Sequence, residues 1–243
     1  MEAAWLAGVD GCRAGWIAAF VRAQRTEVRV RMFASFADFL AAAEAPALIA
    51  VDIPIGLPAR IGPGGRGPEA AVRPLLGARQ SSVFSVPSRA AIAASNFGEA
   101  CRIALETSDP PLKVSRQLFM MVPKIREVDV LLRGDASLAK RVYEVHPEVA
   151  FWQLNDGLAL TEPKKVKGRP YEPGLRLRRD LLHAAGYPAA ILDAAPPAGA
   201  GPDDVLDALA CAAIARQIAA GLARPFPDPP GRDAYGLTMA IWA

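Results

Sequence analysis

The chain is poor in the residues that build soft-metal and disulfide centres. Its 243 residues include only three cysteines and two histidines. Cys12, Cys101 and Cys211 lie far apart and form no CxxC pair. That excludes a zinc ribbon and a disulfide framework, and it suits a reducing compartment. Aromatic residues make up 7%, which gives no sign of a base-stacking groove. No stretch approaches about eighteen uncharged apolar residues, so no membrane span is expected. The opening MEAAWLAGVDG has no basic region followed by a long apolar run, and it does not read as a secretory signal. A cytoplasmic protein is the expectation. GPGGRGPE (62–69) lacks the Gly-Lys-Ser/Thr ending of a phosphate loop. GVDGCRAGW (8–16) lacks dinucleotide glycine spacing and puts an acid where a pyrophosphate would approach.

Apolar residues are plentiful. They make up 52% of the chain, and the formal charge is only +3 (28 − 25). That is enough for a sizeable core, and residues 1–243 read as one domain. AWLAGV (4–9), WIAAFVR (16–22) and EVRVRMF (27–33) read as an antiparallel meander; in the last, Val28, Val30 and Met32 alternate with Arg29 and Arg31. Residues 35–44 predict a helix with Ser35 as its cap. ALIAV (47–51) is uniformly apolar, as in a strand buried on both faces. Residues 58–135 begin in a Gly/Pro loop and continue as helical patterns broken by Pro87, Pro110, Pro111 and Pro123. They are far longer than the dozen or so residues a parallel crossover needs, so an inserted helical cap is expected. Residues 140–145 return to strand character. Helices are predicted over 174–185 and 203–220, PFPDPPG (225–231) reads as a linker, and a last short strand falls within 235–242. The order is that of the ribonuclease H fold: an α/β domain with a mixed five-stranded sheet, flanking helices and an inserted cap.

Acidic residues close several of these runs. Asp10 ends the first and Asp52 ends ALIAV, while Glu144 lies near the end of KRVYEV. If the three strands are parallel neighbours, these acids share the carboxyl edge of the sheet, where open α/β sheets bind ligands. Asp204 and Asp207 open the last long helix three residues apart, on one face. Carboxylates gathered so closely take up protons or bind cations. All-oxygen ligands suit Mg²⁺ or Mn²⁺, and two ions about 4 Å apart can activate water against a phosphodiester. Singly, each acid also reads as a turn residue or a helix cap. Asp207 is the hardest to read that way, because it follows Leu206 inside an alanine-rich helix.

Further candidates are His146, as a base, ligand or structural group; Arg79, Ser81, Ser82 and Arg89, as phosphate contacts or caps; and Lys124, Lys164 and Lys165. Residues 164–179 carry seven basic residues against one acid, and residues 58–135 eleven against seven. Basic flanks around an acidic centre suit a phosphate backbone, although charge runs are usually solvated faces.

Six ordered blocks carry a family resemblance: GVDGCRAGW (8–16), VDIPIGLP (51–58), GARQSSVFSVPSR (77–89), PKIREVD (123–129), EVHPEVAF (144–151) and DDVLDALACA (203–212). Together they resemble the family of predicted ribonuclease H-like nucleases (domain of unknown function 429), and DVLDALACA also resembles the last acidic motif of Holliday-junction resolvases. The resemblance implies a nuclease that binds Mg²⁺ or Mn²⁺, in all expectation two ions, at Asp10, Asp52, Asp204 and Asp207. Glu144 would join from its matching block. Nucleic acid of unspecified type would be the partner, and the resolvase likeness adds a homodimer. Two other readings stay open: a nucleotide-binding phosphotransferase of the actin-like type, and a non-catalytic binding module.

Overall fold

The computed structural model describes residues 4–23 and 27–243. The apolar run after Ala4 becomes β1 (Trp5–Cys12), which pairs antiparallel with β2 (Gly15–Arg22), and β2 pairs antiparallel with β3 (Val28–Phe33). Helix α1 (Phe36–Leu40) is capped by Ser35, which exchanges hydrogen bonds with Asp38. It is shorter than the predicted 35–44: Ala45 takes a positive φ of 41°, and Glu44 is held by Arg31 of β3 at 2.7 Å. β4 (Leu48–Val51) follows and lies parallel to β1.

Between β4 and the next strand the chain is helical: α2 (Gly67–Val72), a 3-10 stretch over Arg73–Ser82 interrupted at Gly77, α3 (Arg89–Ala93), α4 (Phe97–Glu106), α5 (Arg116–Gly134) and α6 (Ala136–Ala139). Pro123, expected to break a helix, lies inside α5, where its ring stands on the exposed side. β5 (Val142–Glu144) is parallel to β4. There follow α7 (Pro147–Leu154), a small hairpin of β6 (Lys165–Val166) and β7 (Arg169–Pro170), α8 (Glu172–Ala184), α9 (Ala189–Leu192) and α10 (Pro202–Ala219). The chain closes with β8 (Pro225–Arg232) and β9 (Thr238–Trp242).

The main sheet has seven strands, ordered β3-β2-β1-β4-β5-β9-β8, rather than the five expected. The added pair corrects the reading of PFPDPPG as a linker. That segment is β8, antiparallel to β9 with an irregular register between Phe226 and Gly231. Prolines are tolerated there because the strand lies at the sheet edge, where a missing N–H costs no inner ladder bond.

Both faces of the sheet are buried. Leu6, Ile17 and Ala50 pack into one apolar cluster with α7, α8 and α10, while Ala7, Val9, Trp16 and Val51 pack into the other with α3, α4 and α5. The result is a three-layer α/β arrangement. Asp10 has the same parity as Leu6 and Gly8, so it emerges on the α10 side. At Gly8 the helix approaches very closely: a Cβ there would lie 2.0 Å from the Ala212 nitrogen and 2.1 Å from the Ala208 oxygen. Among the described residues, no helix is long and apolar enough to cross a membrane.

Gly8→Ala must push α10 off the sheet. The expected outcome is a destabilisation of about 3 kcal/mol or more, read by urea unfolding. A loss below about 1 kcal/mol would show that the helix adjusts without strain.

Candidate functional site

The strand ends and the start of α10 build one acidic wall. Asp52 stands one residue beyond β4, and its N–H donates to the Val9 oxygen at 2.9 Å, which brings it beside Asp10 at the end of β1. Because α10 rides on Gly8 through Ala208 and Ala212, the neighbouring Asp207 arrives at the same place. Asp10, Asp52, Asp203, Asp204, Asp207 and Glu148 line a cleft of about 560 Å³. Phe84, Val86, Leu118 and Met121 form its apolar side, and Arg13, Lys124, Lys164 and Lys165 contribute the cations.

The acids strain against one another. Burial pushes the Asp10 carboxyl well up, and Asp52 and Asp207 raise it further. Burial also raises Asp52, although His146, Lys164 and a hydrogen bond from Asp10 hold it back. Asp207 is pushed up to about 7 by burial, against the lowering pull of Lys164. Burial raises Asp204 less completely, because its carboxylate accepts from the Gly201 N–H at 2.8 Å. Lys164 is the counter-charge. Burial alone would lower its ammonium, but Asp207, Asp10 and Asp52 together raise it. It forms an ion pair with Asp207, and the adjacent Lys165 pairs with Asp203 at 2.6 Å.

The lysines are brought in by a seated loop. Gly174 at the start of α8 lets Pro163 lie flat on the helix, since a Cβ there would meet the Pro163 oxygen at 1.9 Å. The fully buried Arg178 fastens the same loop. It donates to the Glu162 and Gly174 carbonyls at 3.1 and 2.8 Å and to Glu148 at 2.5 Å. That leaves the second Glu148 oxygen and Asp207 Oδ1 buried without hydrogen-bond partners.

Glu144 lines the cleft, but both of its oxygens are engaged: Oε1 by Arg66 at 2.6 Å and Oε2 by the Ile55 N–H at 2.7 Å. Burial pushes its carboxyl up to about 7 against the pull of Arg66. Arg66 spends all five N–H donors, on Glu69, on Glu144 and on the Ile55 and Gly56 carbonyls. His146 caps α7: its Nδ1 accepts from the Glu148 N–H at 3.2 Å, and its Nε2 lies 3.3 Å from the Ser82 oxygen. It is therefore the cap of the next helix rather than a residue of the strand.

Of the residues predicted to meet substrate, Ser82, Lys124, Lys164 and Lys165 line the cleft, whereas Arg79, Ser81 and Arg89 do not. Lys124 donates to the Gly15 carbonyl at 2.7 Å. Arg89 is bound to Asp129 and Asp233, both at 2.6 Å. Sequence reasoning missed Glu148, Arg66 and Arg178. A signal for Glu148 was present: Pro147 starts a helix, and Val149-Ala150-Phe151-Trp152 follows without a polar residue, so the helix and its first-turn acid had to be buried.

The donor set is chemically right for a hard cation: all oxygen, buried and mutually repelling, with two oxygens unpartnered. Among the described residues, however, no three such groups already converge on one point as metal ligands; Lys164 stands among them instead. The chain matches the family described as "Protein of unknown function (DUF429)" over residues 8–232, and it belongs to that family. No curated protein and no solved structure matches it.

Two outcomes follow. Arg66→Leu strands Glu69 and Glu144 in the interior and is expected to cost about 3–5 kcal/mol in urea unfolding. Near-neutral behaviour would show that water reaches both acids. The second concerns pH. Asp10 and Asp207 keep protons in the folded chain that the unfolded chain releases near pH 4. Their stabilising contribution is therefore complete below about pH 4 and falls as pH rises, for Asp207 through about 7. In EDTA, wild type should lose more melting temperature between about pH 5 and pH 8 than Asp207→Asn does. Equal slopes would contradict the raised carboxyls.

Proposed function

Taking membership of that family as the premise, we propose that the acidic cleft is the active site of a divalent-metal-dependent hydrolase that cleaves phosphodiester bonds in nucleic acid, on a ribonuclease H-like fold. One observation carries the reading: Asp10, Asp52 and Asp207 line one cleft, where Asp52 and Asp207 raise the proton affinity of Asp10 and Asp52 raises that of Asp207, beside buried oxygens of Asp207 and Glu148 that have no partner. Such a cluster is costly unless a cation relieves it. The strand order β3-β2-β1-β4-β5 and the helix carrying the last acids support the fold reading.

Asp10, Asp52 and Asp207 would hold the ion, with Asp204 at the rim. Bound Mg²⁺ or Mn²⁺ would supply Lewis acidity to the phosphoryl oxygen and a water of lowered pKa. The chain's own residues do the rest. Lys164 neutralises the acids until a cation takes them, which frees its ammonium for a phosphate oxygen. Lys165 and Arg13 present further positive charge at the cleft. The apolar side of Phe84, Val86, Leu118 and Met121 keeps bulk water from the acids and receives the uncharged parts of a nucleotide. An extended basic surface is not needed to engage a phosphate at this point.

A second reading has its own support. The ion pair of Lys164 with Asp207 neutralises part of the cluster without any metal, as in a binding module that does no chemistry. The two readings separate in a thermal melt titrated with Mn²⁺ and Mg²⁺. A metal that binds only the folded chain must raise the melting temperature. The hydrolase reading expects a rise in wild type, none in Asp10→Asn, and a larger rise in Lys164→Met, where the competing ammonium is gone. It also expects cleavage of mixed DNA and RNA substrates to fall to background in Asp10→Asn and Asp207→Asn, with both variants still folded. A metal response that survives Asp10→Asn, or none in Lys164→Met, would favour the module.

A further inference from the structure

A second cavity, of about 540 Å³, lies beyond Glu144 where β5, β9, the end of α5 and the turn before β9 meet. Its floor is apolar and buried, made of Ile55, Leu132, Val142, Leu237 and Ala240. The lining includes two aromatic rings in contact: Tyr143 and Trp242 stand edge to face, with centroids 5.3 Å apart and planes at 90°. It also includes three cations: Arg133, Lys140 and Arg232. The single acid in the lining is Glu144, whose two oxygens are already bonded to Arg66 and to Ile55.

The cations differ in how occupied they are. Arg133 lies 3.8 Å over the Tyr235 ring and 3.4 Å from Asp129. Arg232 spends one N–H on the Gly236 carbonyl at 2.7 Å. The Lys140 ammonium has no hydrogen-bond or ion-pair partner among the described residues. An apolar pocket lined by aromatics, with cations that its own acid cannot neutralise, is complementary to a flat ring bearing an anionic group. Three cations suit a phosphate better than a single carboxylate, and the volume is within the range of about 300–1,000 Å³ usual for small-ligand sites.

We propose that this cavity binds a nucleotide unit, with the base against Trp242 and Tyr143 and the phosphate at Lys140, Arg133 and Arg232. The unit could be a free mononucleotide or one residue of a single strand; the chemistry of recognition is the same. The site is separate from the acidic cleft, and it needs no metal.

The test is a tryptophan-fluorescence titration in EDTA with 5′-AMP, with a twelve-residue oligoadenylate and with inorganic phosphate. Wild type is expected to bind AMP saturably, with phosphate competing only at far higher concentration. Lys140→Glu is expected to weaken binding about tenfold or more with an unchanged melting temperature, and Lys140→Arg to restore it. Oligoadenylate binding no tighter than AMP identifies a free nucleotide as the ligand; markedly tighter binding identifies a strand. Asp10→Asn should bind AMP as wild type does, so failure of the metal reading leaves this result untouched. The proposal is overturned if neither nucleotide binds, if Lys140→Glu binds normally, if phosphate competes as well as AMP, or if Asp10→Asn abolishes binding and so places the nucleotide in the acidic cleft.

Discussion

Helix α10 can lie against β1 only because Gly8 has no side chain, and the acidic cleft depends on that approach. With backbone nearly touching backbone at Ala208 and Ala212, the first turns of the helix hang over the end of the strand. Asp207 is then almost wholly buried at the wall of the cleft. Its carboxylate is directed at Asp10 and Asp52 by packing that a single methyl group would obstruct. A similar device acts on the opposite side, where the bare edge of Gly174 seats the loop that delivers Lys164 and Lys165. Two contacts too tight for any side chain therefore determine where the principal charges of the site meet.

The buried carboxylates divide into two groups by the base that answers them. Glu69, Glu144 and Glu148 are held by Arg66 and Arg178, whose planar forks stay charged and are fully buried. Such pairs are fixed in geometry and expensive to break. Asp10, Asp52 and Asp207 are answered by the ammonium of a lysine, a point charge on a flexible stem, carried on a loop that is part-exposed. The first group is scaffold. The second is a charge balance that can be rewritten when another cation or a phosphate arrives.

Much of this was legible in the sequence, and the limits have physical causes. Strand ends could be read because Asp10 and Asp52 each close an apolar run, and the helix pair Asp204 and Asp207 shares a face by simple periodicity. The meander β1–β3 showed in the alternation of Val28, Val30 and Met32 with arginines. What stayed hidden depends on long-range approach. Nothing local says that Lys164 will reach Asp207 rather than solvent, or that Arg66, set in a Gly/Pro loop, will close over Glu144. β8 was hidden for another reason: four prolines forbid an inner strand, and only its place at the end of the sheet makes them harmless. His146 was open as a base, a ligand or a structural group; the Pro147 that follows it starts a helix, and a residue in that position becomes its cap.

That same β8 is a poor template for a strand from another molecule. A sheet grows between molecules by offering an outer row of N–H donors to a neighbour's strand. On this side Pro225, Pro227, Pro229 and Pro230 thin that row to the point where a foreign strand would find little to bond. The opposite border, β3, is guarded by charge, with Arg29 and Arg31 tied to Glu27 and Glu44. Side-by-side recruitment of strands is thus discouraged at both ends of the sheet. The helical layers cover its two faces.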